Sequence, residues 1–167
     1  MTTLVMKFGG TSVGNAEAHA QAAEIVETQA QRWERLVVVV SAMRGVTDAL
    51  IRGARTAAAG DDQTYRAVVA ELRIRHYRVI DVLLEDAEAR AALLATVDGY
   101  LDQFDTFCHS VHVLGEVTPR AMDTVSSFGE RINARILAAL LRQRGARSEA
   151  VDEIGRASCR ERVCHRV

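Results

Sequence analysis

One cation, two adjacent glycines and two hydroxyls stand together near the start of this 167-residue chain, as Lys7-Phe8-Gly9-Gly10-Thr11-Ser12, with Val13 and Gly14 behind them. That set suits a phosphate group. Glycines let backbone N–H groups turn toward an anion with no Cβ in the way, a following helix adds its positive end, and a lysine supplies a full charge. A tight turn beside a surface lysine would use the same residues, and the spacing is neither a Walker A loop nor Gly-x-Gly-x-x-Gly. A second polar stretch, Ser41-Ala42-Met43-Arg44-Gly45-Val46-Thr47, offers two hydroxyls, Ser41 and Thr47, that suit either a bound substrate or a turn and helix cap. A third, Ser126-Ser127-Phe128-Gly129-Glu130-Arg131, sets an acidic side chain directly after a glycine. Glu130 there fits a helix dipole as well as a ligand.

The elements that must position these residues follow from apolar patterning. Leu4-Val5-Met6 reads as a buried strand, so Lys7 and the glycines fall at its carboxyl end, where open α/β sheets bind ligands. Asn15 can cap a helix through about Gln31 with Ala22, Ala23, Ile25 and Val26 on one face. Leu36-Val37-Val38-Val39-Val40 is a β-branched run expected of a strand covered on both faces. Strand, helix, strand implies a parallel pair with a right-handed crossover, which brings the Ser41–Thr47 stretch to the same sheet edge as Lys7.

Further on, a helix is expected from Asp48 to about Ala59, stopped by Gly60, with Asp61 or Asp62 capping the next. Two long helices, about 64–84 and 87–113, read as a hairpin whose first member carries the stripe Leu72, Val79, Ile80, Leu83 and Leu84. Thr118-Pro119 is a helix start, and Ile132, Ile136, Leu137, Leu140 and Leu141 repeat at helical spacing up to a stop at Gly145. Gly129 lies inside that span, and its cost of about 1 kcal/mol in a helix marks a break between two helices or a place where a ligand comes close.

Composition narrows the classes. A hydrophobic fraction of 49% and this length suit one domain with a real core, and a net charge of −1 points to neither nucleic acid nor an anionic membrane as partner. No apolar stretch approaches the roughly 20 residues of a membrane-spanning helix and no secretory signal is visible, so a cytoplasmic location is expected. Cys108, Cys159 and Cys164 have no zinc spacing, and His76, His109 and His112 have no completing ligand set, so no metal site is expected from these residues. Glu153 to Val167 breaks every preceding pattern, with four arginines, two of the three cysteines and no apolar period. It resembles the read-through translation of a sequencing adapter and is expected to be a non-native, disordered tail on a domain portion covering 1–152, cut off in mid-fold.

Together, Lys7-Phe8-Gly9-Gly10-Thr11-Ser12-Val13-Gly14, Val39-Val40-Ser41-Ala42-Met43 with Gly45-Val46-Thr47, and Ser127-Phe128-Gly129-Glu130-Arg131 resemble, in order and spacing over about residues 1–152, the aspartokinase branch of the amino-acid kinase family. The resemblance implies an α/β fold, a three-layer αβα sandwich with a mainly parallel sheet, of which this chain is the incomplete, helix-rich, amino-acid-binding N-terminal part. It implies transfer of the γ-phosphoryl of ATP, with Mg2+, to the side-chain carboxylate of L-aspartate, as the entry to lysine, threonine and methionine synthesis. In that scheme Lys7 is catalytic and, with Phe8, Gly9, Gly10, Thr11 and Ser12, faces phosphate, while Ser41, Thr47 and Glu130 hold aspartate. A homo-oligomeric parent is also implied, and the fragment alone is expected to be inactive because the nucleotide half has no counterpart. A glutamate or N-acetylglutamate kinase and a non-catalytic binding or assembly module are the alternatives.

Overall fold

The computed structural model describes residues 2–152 and the backbone of Cys164–Arg166. Strand β1 (Thr3–Phe8) is followed by helix α1 (Ala16–Ala30) and strand β2 (Arg35–Val40), and the two strands pair in parallel with Lys7 opposite Val39 and Phe8 opposite Val40. Both therefore end at one edge of the sheet, as the β-α-β reading requires. One face of the pair is core: Phe8, Leu36, Val38 and Val40 are buried with Ala23 and Val26 of α1. The other face is open, with Val5 63% exposed and Val37 and Val39 half-buried, so β2 is not covered on both faces among the described residues. Ile25 also turns outward, 49% exposed, and does not join the α1 stripe.

Four helices complete the described core. They are α2 (Val46–Ala58), α3 (Asp62–Leu83), α4 (Ala87–Leu114) and α5 (Pro119–Gln143). The caps are the residues that the pattern marks: Asn15, Asp61 and Thr118 each accept a backbone N–H from three residues on, at Ala18, Thr64 and Ala121. The α3–α4 hairpin packs on α2, and Tyr65, Leu72, Ile80, Leu101 and Phe104 are among its buried side chains. Cys108 lies fully buried on α4, and burial pushes its thiol up to about 12.

Helix α5 runs unbroken through Gly129, so of the two expectations for that glycine the break between helices is not realised. The reason is packing: a Cβ at Gly129 would come 2.8 Å from the Ala42 Cβ and 2.9 Å from Val46 Cγ1, so the bare backbone lets α5 lie against the start of α2. Beyond α5, a short strand β3 (Glu149–Val151) that apolar patterning does not announce pairs antiparallel with β4 (Cys164–Arg166), which in turn pairs antiparallel with β2. The sheet order is β1-β2-β4-β3. Of the tail expected from Glu153 to Val167, residues 153–163 and 167 lie outside the described residues, whereas three others form β4.

Candidate functional site

The two polar loops leave the same sheet edge and touch. Ser41 N–H donates to Phe8 O at 3.0 Å, continuing the ladder past the strand ends, and Arg44 N–H donates to Gly10 O at 3.1 Å. Gly10 is a glycine for this contact, since a Cβ there would sit 2.8 Å from Ala42 O. In front of Gly9 the space is open among the described residues. The two glycines thus divide the work: Gly10 lets the second loop close against the first, and Gly9 leaves room for a group to approach.

Charge and dipoles gather at this junction. Lys7 is exposed as the penultimate residue of β1, and the Arg44 guanidinium donates to Thr11 Oγ1 at 3.2 Å. Arg75, reaching over from α3, donates to Arg44 O. The Ser12 N–H is already engaged by Gly9 O at 2.9 Å, which narrows the donors that could face a phosphate. The positive end of α1 is partly satisfied by the Asn15 cap, whereas α2 starts at Gly45, in the left-handed region at φ 78°, with no side-chain cap. At its start the Val46 N–H is engaged by Met43 O at 3.0 Å, so neither helix end is the freer, and half-buried Thr47 lies in the first turn of α2.

Helix α5 braces the second loop from behind. Gly129 rests on Ala42 and Val46, half-buried Glu130 follows it, and one turn later the Asn133 amide donates from Nδ2 to Ser41 O at 2.6 Å. Asn133 Oδ1 lies 2.6 Å from His19 Nε2, and His19 Nδ1 lies 2.8 Å from Asn15 O. Both side chains are fully buried. Burial holds the His19 imidazole below its ordinary range, against the pull of its hydrogen bonds to Asn15 and Asn133.

Of the residues singled out by pattern, Phe8, Gly10 and Thr11 contact the second loop directly, and Ser41 is bonded at both its N–H and its C=O. Lys7, Gly9, Ser12, Thr47 and Glu130 stand around that junction on the strand end, the loops and two helices. Arg44, Arg75, His19 and Asn133 were not read from sequence as site residues. Arg44 had a signal, a cation between two hydroxyls in a loop, but a histidine in mid-helix and an asparagine among apolar residues look like many others. A separate polar cluster sits on the other side of α5. There Asp152 bonds bidentately to Arg135 at 2.9 and 2.7 Å and meets Arg131 at 3.1 Å, with both guanidinium groups over the Tyr100 ring. Burial pushes the Asp152 carboxyl up, but the two arginines more than offset it and hold it below the usual carboxylate range.

Comparison with known proteins concerns the chain as a whole. The model of the amino acid kinase family matches residues 2–165. The chain is 32% identical over 84% of its length to the bifunctional aspartokinase/homoserine dehydrogenase 1 of Arabidopsis thaliana chloroplasts, covering 15% of that protein. It is 28% identical over 89% of its length to the aspartokinase of Schizosaccharomyces pombe, covering 30% of it. Among solved structures, E. coli aspartokinase III in complex with aspartate and ADP superposes with a TM-score of 0.72 at 21% identity, over 87% of this chain and 30% of that one. That likeness carries the fold. The chain spans well under a third of the bifunctional relative and about 30% of the other two.

Proposed function

Because the chain belongs to the amino acid kinase family, we propose that it is the amino-acid-binding portion of an aspartokinase, whose complete form transfers the γ-phosphoryl of ATP to the side-chain carboxylate of L-aspartate. The observation that carries the proposal is the junction of the two loops, closed at Gly10 against Ala42, with Lys7, Arg44 and the start of α2 beside it. Phosphoryl transfer asks for positioning and for neutralisation of spreading negative charge more than for a protein nucleophile. An oxygen of the substrate carboxylate attacks the γ-phosphorus, the bond to the β,γ-bridging oxygen breaks, and ADP leaves with that electron pair. No proton has to move in this step.

In this reading Lys7 faces the transferring phosphoryl, and backbone N–H groups around Gly9 and Gly10 approach its oxygens. Ser41 and Thr47 hold aspartate, and Glu130 pairs with its α-ammonium. The aspartokinase names of the relatives and the aspartate and ADP of the E. coli complex support that choice of substrates. Among the described residues no group of three or more carboxylate, histidine or cysteine ligands could hold a metal ion, so no step here is assigned to Mg2+. The same proposal extends to a cytoplasmic, homo-oligomeric complete protein serving lysine, threonine and methionine synthesis.

Steady-state kinetics of the complete protein test it. Lys7→Met should lower kcat by about 10² or more, because that charge acts mainly in the transition state. Glu130→Gln should instead raise the KM for aspartate, by roughly 2 to 4 kcal/mol of lost binding. Wild-type kinetics in both variants would refute the assignment.

A further inference from the structure

We propose that Asn133, locked by His19, is a positioning residue that fixes the Ser41 loop for substrate. This rests on the reading that Ser41 contacts the amino-acid substrate. The chain of contacts begins at Ser41 O, which can only accept a hydrogen bond, so the atom of Asn133 facing it at 2.6 Å is the Nδ2 amide. Oδ1 is then turned toward His19, and the ring nitrogen 2.6 Å from it, Nε2, must carry a proton. The ring's other nitrogen faces Asn15 O, which already accepts the His19 backbone N–H at 3.1 Å. The neutral Nε2–H tautomer therefore serves Asn133, and burial of the ring keeps it neutral.

The consequence for Ser41 is geometric. Its N–H is tied to Phe8 O on β1 and its C=O to Asn133 on α5, so the peptide planes on both sides are held and the direction of its Cα–Cβ bond is set. The contact on Phe8 comes from the strand that carries Lys7, and the contact on Asn133 from the helix that carries Glu130. One carboxamide thus keeps Ser41 in register with both other groups assigned to the reaction. The Nε2 proton of His19 prevents the carboxamide from turning over, and the ring's own helix starts at Asn15, directly behind the glycine loop. Gly129, one turn before Asn133, holds the helix close enough for the bond to form.

The decisive variant is Asn133→Asp, which keeps the side-chain shape and the acceptor for His19 but removes the donor to Ser41 O. Amide hydrogen exchange on the 167-residue chain should show the Ser41 and Arg44 amides exchanging about tenfold faster, the size of effect one buried hydrogen bond carries. Amides of Leu72 and Leu101 in the hairpin should stay within about twofold. In wild type the His19 ring ¹⁵N shifts should report the Nε2–H tautomer, and in Asn133→Leu the proton should move to Nδ1, toward Asn15 O. L-Aspartate, titrated by NMR, should bind Asn133→Asp about tenfold more weakly than wild type. Unchanged exchange at Ser41 and Arg44, loosening shared equally by the hairpin, or unchanged aspartate affinity alongside a loosened loop would each overturn the positioning role. Absence of aspartate binding by the wild-type chain would instead count against the substrate reading, and exchange and tautomer would still decide the clamp.

Discussion

Where α3 and α4 close into a hairpin against α2, the buried groups are Tyr65, Leu72, Ile80, Leu101 and Phe104, and the ion pairs of Arg73 with Asp98 and Asp102 stay toward the surface. Where β1 and β2 end, the contacts are a glycine against a carbonyl, a carboxamide and an imidazole. The first region is held by area removed from water, which tolerates small shifts. The second depends on hydrogen bonds in a dry setting, where a lost partner leaves a polar group stranded. Stability and geometry are therefore delegated to different parts of one small chain.

The largest change should come from the hairpin. Phe104→Ala removes a fully buried ring and should cost about 3–5 kcal/mol, read as a drop in melting temperature, with Phe104→Leu milder. A small change there would mean that the hairpin is not the stabilising region. Acid comes next and touches both regions. His76, buried on α3 with Nδ1 donating to Leu72 O at 2.6 Å, is lowered by burial to about 4. Its folded value lies below the unfolded one near 6.5, so the stability it confers is complete above about pH 6.5 and is lost as pH falls toward 4, about 3 kcal/mol in all. His19 is shifted in the same direction. Melting curves against pH should show a shallower acid limb in His76→Leu, and a shallower one again when His19 is also replaced.

Smaller effects separate the regions further. Gly10→Ala should cost about 1–3 kcal/mol, since its Cβ meets a backbone carbonyl that cannot step aside, and it should disturb the Ser41 amide more than any hairpin amide. Arg73→Ala should change stability by no more than about 1 kcal/mol, because its partners are half exposed or more accessible. A larger loss would show that polar contacts matter in the hairpin as well.

The same contrast explains what was legible in the sequence. Apolar spacing, capping residues and the glycine stops located the five helices of the described residues and the parallel pair, because those signals are local: Asn15, Asp61 and Thr118 cap where their positions imply. Gly129 misled, since a helix-interior glycine looks the same whether it breaks the helix or admits a neighbour, and the neighbour, Ala42, lies far away in sequence. β3 is three residues long and held by its partner strand, so no periodicity could announce it. At the candidate site, Lys7, the glycines, Ser41, Thr47 and Glu130 are marked by residue type and order as expectations. Asn133 and His19, 114 positions apart, meet only through the fold.

Cys108 turns this division into a measurement. Its thiol is sealed in α4 and raised from 9.0 to about 12, so at neutral pH it holds about 10³-fold less thiolate than the same group released into water. An alkylating reagent can therefore label it only in the instants when the hairpin is apart. With Cys159 and Cys164 replaced by serine, the labelling rate becomes a clock for opening of the hairpin alone, running inside the same molecule in which amide exchange times the loops.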